Sequence, residues 1–161
     1  MSRFPRRLRI VLTLLLWTGL AQSGWSAVEQ PEHNGSAHSE SGLTLNNGKQ
    51  WPTDPALRKG MEAIQRDIRE ALPRIHDGSI TPKQYAALAN QMQTHVNELL
   101  KNCKLSPEAD AQLHRIIAEV NQGAEAMAGQ NGRASGAAMI VHALDLYGRH
   151  FDHAGWTPLA H

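Results

Sequence analysis

Met61, His95, His114 and His150 are the side chains whose chemistry and spacing set this sequence apart. Thioether and imidazole together suit copper, and the same donors serve haem iron. Cys103 adds a thiol and His153 a further imidazole, in a chain holding nine His, five Met and a single Cys. Such donors make a site only if the backbone brings them to one place, so the elements that carry them come next.

Two predicted helices flank Cys103. Thr81-Pro82-Lys83-Gln84 reads as a helix start: a capping Thr, a Pro suited to the first turn, and a Gln that completes a capping box. Tyr85, Leu88, Met92, Val96, Leu99 and Cys103 then recur at helical spacing. Ser106-Pro107-Glu108 repeats the start signal, and Ala109, Leu113, Ile116/Ile117, Val120, Ala124 and Met127 form the next stripe. With so short a link the two helices fold back antiparallel. His95 and His114 stand at nearly equal distances on either side of Lys104 and Leu105 and so should face one another.

Leu57, Met61, Ile64, Ile68 and Leu72 give an earlier stripe that starts at Asp54-Pro55 and is expected to end at Pro73. A last helix is expected over 134–151, with Ala137, Ile140, Val141, Leu144, Tyr147 and Phe151 inward, and the Asp152 to Trp156 tail folding back over the bundle end. No strand pattern emerges. The expected fold is all-α, an up-down-up-down four-helix bundle over residues 43–161.

Matching levels through the loops places Met61, His95, His114 and His150 in one layer, each from a different helix. Bundle interiors build metal sites in this way. Orientation is uneven: His95 lies roughly 60° from the centre of its stripe, and His114 and His150 about 110° from theirs. Core filling for Met61 and edge positions for the histidines therefore remain alternatives. Cys103 and His153 form a second candidate pair near the bundle end. A lone Cys can also be an inert thiol or bridge two copies into a homodimer.

Residues 1–26 read as an export signal, with Arg3, Arg6, Arg7 and Arg9 before the apolar run from Ile10 to Leu20. That run is too short to span a bilayer comfortably. Residues 27–42 read as a disordered linker. Removing the four signal arginines turns the formal charge of +1 into about −3 with neutral His, so the basic balance belongs to the signal. Nucleic acid is not an expected partner, and neither is a membrane after cleavage. The expected address is the periplasm.

Enzyme signatures are missing: there is no His-Glu-x-x-His, no paired Glu-x-x-His, no phosphate loop and no nucleophile elbow. No enzyme is expected. The chemistry points to a periplasmic soft-metal binding protein, copper above all, using Met61, His95 and His114, with Cys103 and His153 as further ligands. A cofactor-free interaction bundle, recognised through Trp51, Trp156 and the loop end, is the alternative.

LNNGKQWPTDPALRKGMEAI, NCKLSPEADAQLH and LYGRHFDHAGW together resemble a group of small secreted bacterial proteins of the DnrO-like type, over residues 43–157. The chain is also similar, more weakly, to cytochrome b562, a periplasmic four-helix bundle. That likeness implies haem b held by Met61 near the start of the first helix and His150 near the end of the last. The residues around them match poorly.

Overall fold

The structure, a computed structural model, describes residues 42–159. The expected signal peptide, and the expected linker up to residue 41, lie outside the described residues.

The fold is a four-helix bundle: α1 (Pro55–His76), α2 (Pro82–Asn102), α3 (Pro107–Ala128) and α4 (Arg133–His150). Two residue pairs supplement it, β1 (Trp51–Pro52) and β2 (Phe151–Asp152), which run parallel with Trp51 opposite Phe151. The periodicity gave no hint of them. A tight turn precedes β1. Asn46 and Lys49 exchange backbone hydrogen bonds of 2.8 and 3.0 Å across Asn47 and Gly48, which hold positive φ of 50° and 79°. Asn and Gly are the residues that tolerate such a turn.

Three helices begin on the polar caps read from sequence. The Asp54 carboxylate accepts from Leu57 N at 2.7 Å, and Ser106 Oγ accepts from Ala109 N at 3.3 Å. Thr81 and Gln84 form a full capping box. Asp54 works twice, because its other carboxylate oxygen accepts from Lys104 N and so ties the α2–α3 loop to the foot of α1. α4 has no side-chain cap and starts instead from Gly132 at φ +76°.

Pro73 does not end α1. The helix runs on to His76 with Pro73 inside it, despite the lost N–H and the crowding of the preceding turn, and Asp77 N and Ile80 N close the last turn on Pro73 O and Arg74 O. The first loop therefore begins only at Asp77.

The stripes converge on one core, with Leu57, Met61, Ile64, Met92, Leu113 and Ile140 at 2% exposure or less. α3 and α4 make the closest seam, and α1 and α4 the sparsest of the four around the ring. The α3–α4 approach rests on Gly123 and Gly136. A Cβ on Gly136 would sit 2.5 Å from Gly123 O and 2.9 Å from Met127 N. Neither backbone atom can step aside without moving a helix.

Gly136→Ala should therefore destabilise the bundle by about 1–3 kcal/mol through overpacking, against a propensity gain near 1 kcal/mol. Urea unfolding measures the difference, and a stabilised variant would contradict the close approach.

Candidate functional site

The four residues expected in one layer do not share an interior site. Met61 is wholly buried among aliphatic side chains and lines none of the five grooves described. His95 Nε2 lies 2.8 Å from Asp67 Oδ2, at the edge between α1 and α2. Asp67 is six residues beyond Met61, about 9 Å along the helix.

His114 points outward, its side chain 59% exposed. Its Nδ1–H donates to the Asp110 carbonyl at 2.9 Å. His150 does the same, with Nδ1–H donating to Leu146 O at 2.8 Å. A carbonyl can only accept, so both rings carry their proton on Nδ1. Among the described residues no group of three or more His, Cys, Asp or Glu converges as a metal site.

Cys103 and His153 are also apart. Cys103 is the C-terminal cap of α2, next to the Lys104 amide held by Asp54. Burial pushes its thiol above the ordinary range, and the Asp54 and Asp110 carboxylates push it further. It is a protonated, sluggish thiol at neutral pH. His153 instead meets Glu62, eight residues beyond Asp54 and so about 12 Å up α1.

The sequence reading missed what His153 does. Its side chain is 3% exposed and bridges two groups: Nδ1 lies 2.9 Å from Tyr147 Oη, and Nε2 lies 3.0 Å from Glu62 Oε1. Burial raises the Tyr147 hydroxyl well above the usual tyrosine range, so Tyr147 stays a neutral donor. The chain of bonds is then Tyr147 O–H to Nδ1, and Nε2–H to the Glu62 carboxylate. Trp156 packs edge-on to Tyr147 with ring centroids 4.8 Å apart. It sits over Gly148, where a Cβ would come within 2.6 Å of its Nε1.

Residues 152–159 thus form a strap over the α1–α4 seam. Thr53 Oγ1 donates to Asp152 O at 2.6 Å, and buried Gln65 donates through Nε2 to Thr157 O at 3.0 Å. A buried amide at residue 65 within an apolar stripe was the available signal, because such a group needs a partner. Of the expected recognition residues, Trp51 is buried with its Nε1 donating to Thr44 O at 2.7 Å, and Trp156 is half-buried on Gly148.

Beyond the strap the same seam lies open among the described residues. A groove of about 470 Å³ runs between the end of α1 and the start of α4. Its floor and walls are Leu72, Ile75, Ala134, Ala137, Ala138 and Val141, with His76, His142 and Asp145 at the rim. It exists because α4 presents alanines where a bundle seam usually carries larger side chains. The rim is held in place: His142 Nδ1 is 2.6 Å from Glu119 Oε1, and Asp145 Oδ2 is 2.6 Å from Arg149.

Comparison with known proteins places the chain in no family: no family model, no curated protein and no solved structure matches it.

The Tyr147 contribution has a definite sign in pH. Its folded pKa lies above the unfolded value of about 10. The stabilisation is therefore complete below pH ~10 and is lost as pH rises beyond it. In an alkaline titration, one of the two tyrosines should ionise only as helical circular dichroism collapses. Ionisation of both with the helices intact would contradict a buried, donating Tyr147.

Proposed function

We propose that the protein is a non-catalytic binding bundle whose α1–α4 groove receives an apolar part of a partner. The observation that carries this is the groove itself. It is apolar on its floor, open along one side, and set into the seam that helix packing leaves least filled. Core alanines in a bundle are normally covered; here Ala134 and Ala138 stand exposed beside Leu72 and Ile75. An uncovered apolar concavity with a polar rim is the usual form of a recognition site.

His153 supports the same reading, because both of its ring nitrogens are engaged within the fold. Of the donors the composition suggested for copper, His95 is engaged by Asp67 and His153 by Tyr147 and Glu62. Their bonds hold helices and strap, which is the work of a scaffold.

Anilinonaphthalene sulfonate, which fluoresces in apolar sites, provides the test. The folded protein should bind about one dye per chain, and Ala138→Trp, which fills the groove from an exposed position, should abolish the signal. Leu100→Ser, at an exposed apolar residue on α2 away from the groove, should leave it unchanged. Equal dye binding by the Ala138→Trp variant would overturn the assignment.

A further inference from the structure

The groove continues a track that already carries peptide. His153 meets Glu62, and Thr157 O accepts from Gln65, so the strap advances along α1 in the direction of Leu72 and Ile75. Its inward side chains include His153 and Trp156, which flank a turn closed by Trp156 N donating to His153 O at 3.0 Å, and Leu159 beyond it. His153 is buried, Trp156 is packed on Gly148, and Leu159 is 7% exposed. The remaining length of the seam is the groove.

Two devices hold the strap, and the groove offers both again. The first is a bulky side chain set over a small residue of α4, as Trp156 sits on Gly148. The groove presents Ala134, Ala137 and Ala138 on that helix. The second is a polar side chain of the seam taking a backbone group of the strap, as Gln65 takes Thr157 O. The groove has His76 exposed at its rim for the same service, while His142, its Nδ1 held by Glu119, offers its Nε2.

Dimensions agree. From Ala134 to Val141 is seven residues of helix, about 10 Å. On a chain with three residues per turn and a rise of about 3.1 Å, two side chains three residues apart lie on one side and about 9 Å apart. The open side matters too. Ala134, Ala138 and His142 are exposed, so an occupant keeps one edge in water. A peptide backbone tolerates that edge, whereas an alkyl chain gains little there.

Resting on the binding function proposed above, we infer that the groove takes a peptide segment of a partner protein, wound at three residues per turn with two apolar side chains three residues apart, laid end to end with the strap. The chain's own C-terminal segment is the intramolecular example of what the seam binds. Recognition of this kind couples side-chain pockets to a few backbone hydrogen bonds.

The probe is a fluorescein-labelled peptide with the sequence of residues 153–159, His-Ala-Gly-Trp-Thr-Pro-Leu, added to the intact folded protein and followed by anisotropy. Decanoate serves as the alkyl comparison. The expected result is saturable peptide binding that weakens about tenfold or more in Ala138→Trp, a loss of at least ~1.4 kcal/mol, and again in Ala134→Trp. Both substituted positions are exposed, and helical circular dichroism confirms that each variant folds. Decanoate should not compete.

Peptide binding that survives both substitutions would mean exchange with the strap rather than occupation of the groove, and would overturn the inference. Decanoate displacing the dye while the peptide fails to bind would also overturn it and leave the groove as a site for alkyl ligands. Dye binding lost in Ala138→Trp, with no peptide binding at all, would retain the proposed function and reject a peptide occupant.

Discussion

Nothing covalent joins α1 to α4, and the rest of the structure depends on how that seam is closed. Loops zip α1 to α2, α2 to α3 and α3 to α4, but the first and last helices must be held by contacts alone. They are held at one end, where Trp51 pairs with Phe151 and the strap crosses from Asp152 to Leu159. His153 is central to that closure. It satisfies a buried Tyr147 hydroxyl on one side and reaches the Glu62 carboxylate on the other, so tail, α4 and α1 meet at a single imidazole. A buried hydroxyl left without its acceptor costs about 1–3 kcal/mol, which makes the strap part of the fold rather than an appendage.

The same kind of contact recurs at several of the histidines. His95, His142 and His153 each join a carboxylate on another element, Asp67, Glu119 and Glu62 respectively. Each pair bridges two surfaces that would otherwise meet through water. Composition registers the imidazoles, but it cannot register that a carboxylate from a distant stretch lies within 3 Å of three of them.

What was legible in the sequence is what local chemistry dictates. Asp54, Thr81 and Ser106, each followed by Pro, marked three helix starts, and stripes such as Leu57, Met61, Ile64 and Ile68 marked the core. What was not legible lies in long-range geometry. Pro73 looks like a stop, yet α1 passes through it, and His95 finds its partner in Asp67, about a turn and a half beyond Met61. The strap has no periodicity, and its anchors to Glu62 and Gln65 lie some ninety residues away in sequence. Gln65 and the Ala134–Ala138 cluster were the clues, an amide on the apolar side of α1 whose N–H groups need an acceptor and a helix face too small to fill its seam.

The central claim is that this seam is closed on one half and receptive on the other. The most direct measurement is backbone amide NMR of the isotopically labelled protein during titration with anilinonaphthalene sulfonate. The account predicts that shifts concentrate on residues 72–76 and 134–142, with the strap and the α2–α3 hairpin unmoved. Shifts centred on Leu45, on Leu100 or on the strap itself would contradict it.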